Sequence, residues 1–359
     1  MNILVLNPGS SSLKFGVFRF PESSRIAAGV VENVPAGGMA GATRDAILRL
    51  DQAIDAVGCR VVHGGSAFLA PTIVDASVLK EISALSELAP LHNPSAIIAM
   101  ESVRSALGQV PIVAVFDTSF HYTIPAVAAT YAVPAATGIR RYGFHGISYS
   151  YVSRRLLERA AAARRVIICH LGNGASVCAV ADGTSVDTSM GLTPMEGLVM
   201  GTRSGDVDPG AILFLLRKGS SQAEVDDLLN HRSGLLGLSQ VSSDVRQIET
   251  KAAGGDERAE LALEAFAYRV SKYVGAYAAA LNGLDALAFT AGIGEHSASM
   301  RARICARLTF LGITLDERLN REARKDERRI SSGRVDVWVI PTDEEMTIAR
   351  ATAETLNAG

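Results

Sequence analysis

Met1-Asn2-Ile3-Leu4-Val5-Leu6-Asn7-Pro8-Gly9-Ser10-Ser11-Ser12-Leu13-Lys14-Phe15-Gly16 opens the chain, and the fold is read outward from it. Residues 3–6 are an apolar run stopped at once by Asn7, Pro8 and Gly9. Three serines follow, and residues 13–18 form a second strand-like run carrying Lys14. Strand, tight polar turn, strand is the simplest reading. Backbone N–H groups and small hydroxyls converging in such a turn can cradle an anion such as phosphate. An ordinary surface hairpin fits equally well, and this stretch alone leaves both readings open.

The same layout returns later. Residues 166–169 are apolar, His170-Leu171-Gly172-Asn173-Gly174-Ala175-Ser176 is a small-residue turn, and residues 177–180 are apolar again. Likewise Val113-Ala114-Val115-Phe116-Asp117-Thr118 matches Leu287-Ala288-Phe289-Thr290-Ala291-Gly292, each an apolar strand running into a polar or glycine turn. The pairs occur in the same order. This predicts an internal duplication: two related α/β domains, each with a phosphate-type hairpin, facing a shared cleft.

Composition agrees with two domains. The 359 residues are 48% hydrophobic and 20% charged, enough for a large core. A net charge of -2 gives no electrostatic case for nucleic acid or an anionic membrane. Cys59, Cys169, Cys178 and Cys305 are scattered without a C-x-x-C pair, which reads as buried free thiols in a reducing compartment. The N-terminal apolar run is too short for a signal peptide, and no membrane span is expected. The expectation is a soluble cytoplasmic protein.

Between the two hairpins, residues 19–50 show little pattern. Asp75 or Ser77 caps a predicted helix with Val78, Ile82, Leu85 and Leu88 on one face. Asn93 reads as the N-cap of the next helix with Pro94 at its first position, and Gly108 as its stop. Asp117 follows a buried-type strand at 111–116, where open α/β sheets place their sites. A helix is predicted from about residue 148. Residues 191–210 are glycine-rich and aperiodic, with Arg203, Asp206 and Asp208, and read as a functional loop. A long helix over about 256–281 has an apolar stripe for core or subunit interface. Ser297 caps a further helix, 321–334 reads as a solvated charged surface, and 335–340 is the last strand before a closing helix. The domain boundary is expected after residue 118, with 119–343 the second domain and 344–359 returning to the first.

No G-x-x-x-x-G-K-[ST] occurs, and Gly172-x-Gly174 and Gly292-x-Gly294 lack a dinucleotide fingerprint's third glycine. Taken together, Asn7 to Lys14, Arg60-Val61-Val62-His63-Gly64-Gly65, Leu88 to Pro94, Phe116-Asp117-Thr118, Tyr142-Gly143-Phe144-His145-Gly146, His170 to Gly174, Met200 to Gly205, Phe289 to Glu295 and Pro341 to Glu345 resemble the acetate kinase family. That family lies within the acetate and sugar kinase, heat-shock ATPase and actin superfamily. The phrases cover nearly the whole chain in order; the stretch between Phe20 and Asp51 looks shorter than the family usually has.

The resemblance implies two duplicated actin-like, ribonuclease H-like domains with a nucleotide cleft between them, and the reversible reaction of ATP with acetate to give ADP and acetyl phosphate. It implies Arg60, Arg203, His145 and Asp117 as the catalytic group, with Arg60, Val62, Leu91, Phe144 and Pro194 around acetate. Lys14, His170, Leu171, Gly172, Asn173 and Gly174 are assigned to ATP, as are Asp244, Val245, Arg246, Gly292, Ile293, Gly294, Glu295 and His296. Ser10 and Ser12 go to phosphate oxygens, Asn7 and Glu344 to Mg²⁺ (with Mn²⁺ as a substitute), and His92 to shaping the site. Arginine keeps its charge, and its fork matches phosphate and carboxylate oxygens, which suits a transition state spread over phosphoryl oxygens. Acetate is already ionised at neutral pH, so Asp117 is expected to orient metal-bound water or Arg203 rather than abstract a proton. Family habit and the long helix suggest a homodimer. A propionate or butyrate kinase is the near alternative, and an actin-like ATPase switch the alternative of another class.

Overall fold

In the computed structural model, which describes residues 1–9, 11–90 and 92–358, the opening stretch is a hairpin: β1 (Asn2–Pro8) pairs antiparallel with β2 (Leu13–Arg19), with Asn7 opposite Lys14. Side chains of β1 alternate between two clusters. Leu4 and Leu6 pack with Leu13, Phe15, Ala99, Met100 and Val103, under the helix Asn93–Leu107. Ile3 and Val5 pack with Ile348, Ala349 and Ala353 of the C-terminal helix Glu344–Ala358. A strand covered on both faces must be apolar at every position, which is why residues 3–6 form an unbroken run rather than an alternating one.

Four more strands complete this sheet: β3 (Ser24–Val31), β4 (Ala56–Val61), β5 (Thr72–Ile73) and β6 (Ile112–Phe116). The order is β3-β2-β1-β4-β6-β5, with β1, β4 and β6 parallel and the others antiparallel. The second sheet holds β7 (Arg165–Leu171), β8 (Ala175–Ala181), β9 (Thr184–Thr188), β10 (Ala286–Thr290), β11 (Arg328–Arg329) and β12 (Asp336–Val339). Its order is β11-β12-β10-β7-β8-β9, with β7, β10 and β12 parallel. Strand for strand this is the first sheet again, so the duplication is present in the topology. One correspondence differs from the sequence reading. β10 occupies the place of β4, and β6 the place of β12, so residues 113–118 and 287–292 are not topological equivalents. Both are buried parallel strands ending in a turn, and that shared environment produced their likeness.

The chain divides into two compact units. Met1–Tyr122, Phe144–Tyr151 and Asp343–Gly359 form the first, and Thr123–Gly143 with Val152–Thr342 the second. Residues 144–151 thus group with the first unit, although the sequence boundary ran the second domain unbroken from 119. Ile147 packs with Val113, Val115 and Ile348, and the Gly146 N–H donates to the Asp117 carbonyl at 2.9 Å.

Several local expectations need correction. Asn93 is not an N-cap: the helix begins at Asn93 after His92, because its amide is engaged with the main chain of His63. Residues 19–50 contain β3 and the helix Met39–Leu48. The charged segment 321–334 is not wholly surface, since Arg328 on β11 is buried. The stripe of the long helix, Glu257–Ala280, is core within its own unit: Leu263, Phe266, Ala267, Val270, Val274 and Ala278 are all buried. Of Asp75 and Ser77, Asp75 is the cap; Ser297 caps its helix as read, Asp256 caps the long helix, and Gly108 ends its helix at positive φ. All four cysteines are free and buried.

Candidate active site

In the first unit, the parallel strands deliver polar residues at one end of the sheet. Asn7 is at the end of β1, Arg60 near the end of β4, and Asp117 directly after β6. Asp117 is held there by its backbone: its N–H donates to the Val61 carbonyl at 3.0 Å, and its carbonyl accepts from Gly146. A side chain on Gly146 would bring its Cβ to 2.1 Å from that carbonyl oxygen, so only glycine allows the approach. His145, just before it, takes a positive φ of 57°.

Arg60 and Asp117 form a fork-to-carboxylate pair. Nε lies 3.2 and 3.1 Å from the two carboxylate oxygens and Nη2 2.5 Å from Oδ2. The remaining Nη1 donates to Asn7 Oδ1 at 3.4 Å, and Asn7 Nδ2 donates to Glu344 Oε2 at 3.2 Å. Asp117 is buried and Arg60 nearly so. Burial by itself would lower the guanidinium's pKa; Asp117 outweighs it and holds Arg60 above its ordinary value. Burial also pushes the Asp117 carboxyl up, against the pull of Arg60. A planar fork already aligned by a carboxylate is preorganised, so little rotamer freedom remains to lose when a substrate binds.

Beside this pair the loop after β4 is fastened twice. The Asn93 carboxamide accepts from the His63 N–H at 3.1 Å and donates to the His63 carbonyl at 3.0 Å. Thr118 Oγ1 accepts from the Gly64 N–H at 3.0 Å. Val62 and Phe144 are buried there, with the Phe144 ring edge-on to His63 at 5.4 Å. Asn93 and Thr118 were not singled out as site residues; a buried asparagine in a helix's first turn carried no signal beyond capping. Ser10 and Leu91 lie outside the described residues. Ser12 and Lys14 sit at the turn end of the hairpin, Lys14 exposed.

In the second unit, the turn between β7 and β8 carries Gly172, Asn173 and Gly174, with His170 opposite Ser176 in the ladder. A cavity of about 580 Å³ opens beside it, within the range of small-molecule sites. Its walls bring together Gly172, Asn173, Asp244, Val245, Arg246, Gly292, Ile293 and His296, drawn from three separate sequence stretches. Ser243, Glu249 and Ser297 line it too and were missed as site residues. Glu249 accepts from the hydroxyls of Ser297 and Ser299 at 2.7 and 2.8 Å. Leu171, Gly174, Gly294 and Glu295 are not on its walls. Leu171 is wholly buried, and Glu295 Oε1 accepts from the Ala291 and Thr342 N–H groups, fixing the turn after β10. Asp244 caps the helix Val245–Ala253 and also takes the Arg246 fork, whose hydrogen bonds hold its carboxyl below the ordinary range.

Arg203 lies in the 191–210 loop, where Nη1 donates to the Pro194 carbonyl at 2.5 Å. The same loop touches the β7–β8 turn: the Gly201 N–H donates to the Asn173 carbonyl at 2.8 Å. Arg203, Pro194 and the turn therefore belong to one connected structure in this unit.

Two α/β units of one duplicated topology, with glycine turns at strand ends and a fork-bound arginine beside Asn7 and Glu344, are the arrangement of a phosphotransferase of the actin-like ATPase fold. The chain belongs to the acetokinase family, whose model matches residues 38–350. It is 46% identical to an acetate kinase from Heliobacterium modesticaldum, over 98% of both chains. That alignment runs over 391 positions against the 359 residues here, so the relative carries residues this chain lacks. Among solved structures, the acetate kinase of Porphyromonas gingivalis matches with a TM-score of 0.90 and 40% identity over 99% of both chains. A propionate kinase from Francisella tularensis matches with the same TM-score and 39% identity, over 98% of this chain and 99% of its own.

Proposed function

We infer that this chain is an acetate kinase, an enzyme that transfers the γ-phosphoryl group of ATP to acetate and back. The observation that carries the reading is the Arg60–Asp117 pair at the strand ends, joined through Asn7 to Glu344. In the forward direction an acetate oxygen forms a bond to the γ-phosphorus as the bond to the ADP bridging oxygen breaks. No proton has to move, because acetate enters as the anion. Catalysis is then positioning and charge stabilisation. Arg60 binds the acetate carboxylate or the transferring phosphoryl, with Asp117 holding its fork in place. Arg203 and His145 donate to phosphoryl oxygens as charge builds there. Lys14, Ser12 and the β7–β8 turn bind the ATP phosphates, and the cavity lined by Asp244–Arg246 and Gly292–Ile293 takes the adenosine.

Mg²⁺ is proposed as the metal. Among the described residues, no group of three or more His, Cys, Asp and Glu could hold an ion. A pair of oxygen ligands, Asn7 Oδ1 and the Glu344 carboxylate, fits a metal that keeps most of its water. When bound, the ion neutralises phosphate charge. Val62 and Phe144 form the apolar side of the acyl site. Acetate is proposed as the preferred acceptor on the likeness to acetate kinases; it is a preference and not an exclusion, since a pocket of this kind separates acyl chains by only about 1–3 kcal/mol per methylene. The likeness to a propionate kinase is what favours the second reading.

A homodimer is also proposed. Its support is the helix Pro209–Arg217, which has no buried residue although Leu213, Phe214 and Leu216 are 55%, 51% and 40% exposed. A reducing cytoplasm suits four free thiols. Among the described residues no helix is long and apolar enough to cross a membrane, and acetate and ATP are the partners proposed, with no nucleic acid. Steady-state kcat/KM on acetate, propionate and butyrate tests the acceptor: acetate is expected highest, and a clear propionate preference would replace it.

A further inference from the structure

Asp206 and Asp208 follow Arg203 closely, and the reaction above uses neither. Asp208 is accounted for as the cap of the helix Pro209–Arg217. Asp206 does something different. Its N–H donates to the Gly197 carbonyl at 3.0 Å, and its Oδ1 accepts from the Gly197 N–H at 2.8 Å. Two hydrogen bonds between the same two residues close 197–206 into a loop. Oδ2 accepts from the Tyr273 hydroxyl at 2.8 Å and faces Arg269 at 3.1 Å. Tyr273 and Arg269 stand on the helix Glu257–Ala280, whose apolar stripe is the core of this unit. The loop is therefore fastened at its base to a rigid element. Gly205, at φ 71°, turns the chain back to Asp206; a Cβ there would lie 2.2 Å from the Leu198 carbonyl oxygen.

Arg203 is inside this closed loop. The Met200 N–H donates to the Arg203 carbonyl at 3.1 Å, and Gly201 donates to Asn173 of the β7–β8 turn. The placement of Arg203 against that turn thus depends on the closure at 197 and 206. The Arg269 contact contributes little, since both side chains are partly exposed, 28% and 39%. Burial and then Asp206 push the Tyr273 phenol up, so it stays protonated and donates throughout the neutral range. The amide and phenol hydrogen bonds do the fastening.

We propose that Asp206 is a positioning residue for Arg203: by closing the 197–206 loop and tying it to Tyr273, it holds the guanidinium where the phosphoryl group is transferred. This rests on the reading of Arg203 as a phosphoryl-binding cation. Misplacing such a group by about 1 Å can cost about a hundredfold in rate.

The test is a double-mutant cycle on kcat, measured as acetyl phosphate formed by the full-length enzyme with Mg²⁺-ATP and acetate. Asp206→Ala should lower kcat by about 30-fold or more while the ATP KM stays within about threefold. Asp206→Asn, which keeps a carbonyl acceptor for Gly197, should recover most of the loss. In an Arg203→Lys background, Asp206→Ala should cost less than about threefold further, because the fork it positions is gone. An equal loss in both backgrounds, or a wild-type kcat for Asp206→Ala, overturns the proposal. If Asp206→Ala does not fold, Tyr273→Phe replaces it in the same cycle: a smaller non-additive loss supports the proposal, and an additive loss or none overturns it. Should Arg203→Lys itself keep full kcat, the reading of Arg203 falls; a slow Arg203→Lys with a fast Asp206→Ala removes the positioning role alone.

Discussion

Arg60 shows why a residue's surroundings matter more than its type. An arginine on a strand is ordinarily a surface ion pair, worth little. Here the guanidinium is engaged on three nitrogens by Asp117 and Asn7. Removing Asp117 leaves that cation without its carboxylate in a largely buried setting, so Asp117→Ala should lose both kcat and stability. Asp117→Asn keeps the shape but not the charge; it should lower kcat by about a hundredfold and also lower the melting temperature, though less than Ala does because its carbonyl still accepts from the fork. Steady-state kinetics beside calorimetry follow both quantities; a wild-type kcat and melting temperature for Asn would argue against an electrostatic role.

His121 gives a second residue-level prediction. It is buried against Tyr149 and Phe120, and its Nε2 bonds the Phe144 carbonyl at 2.9 Å. Burial pushes its pKa down to about 4, from 6.5 unperturbed. A depressed histidine is neutral in the fold, so the folded state is favoured above pH 6.5. That advantage is lost as pH falls from 6.5 toward 4, when the unfolded chain binds the proton first. The loss is on the order of 3 kcal/mol, from 1.36 kcal/mol per unit. Chemical denaturation at pH 7 and pH 4.5 measures it, and His121→Gln should flatten that part of the profile.

At the scale of elements, the apolar strands and capped helices were legible because their signals are local. Residues 3–6, the caps Asp75 and Ser297 and the stop at Gly108 each depend on neighbours in sequence. β3 was not legible: it is an edge strand of small, half-exposed residues, Ala27, Ala28 and Gly29 among them, so its alternation has little contrast. Asn93 was misread because capping competes with a partner thirty residues away, which no local pattern shows. Of the candidate site, the phrases lining the 580 Å³ cavity were legible, while Glu249 and Ser297 were not, since their meeting depends on two helices packing. The same element-level logic predicts the thiols' behaviour. Cys59, Cys169 and Cys178 lie on buried strands and Cys305 on a buried helix face, and burial raises all four, Cys59 and Cys305 to about 12. A thiol-reactive dye should therefore label none rapidly in native protein and all four after denaturation; fast native labelling would contradict the packing.

At the scale of the whole molecule, the duplication is the organising fact, and the opening hairpin has its counterpart in β7 and β8. Sequence likeness found that pair correctly and mismatched the other, because short apolar strands resemble each other wherever they are buried. Topology separates them: β1 with β7, β4 with β10, β6 with β12. The exposed apolar helix Pro209–Arg217 belongs to this scale too. Light scattering should give twice the mass of one chain, and Phe214→Asp should shift it toward one; a wild-type monomer at micromolar concentration would remove the dimer.

An acetate kinase passes its phosphoryl group to a carboxylate rather than to water. The direct measurement is the ratio of acetyl phosphate, trapped as the hydroxamate, to ADP formed from Mg²⁺-ATP with and without acetate. One acetyl phosphate is expected for each ADP, with ADP release nearly abolished when acetate is omitted. ADP and free phosphate appearing at the same slow rate in both cases, without hydroxamate, would contradict it.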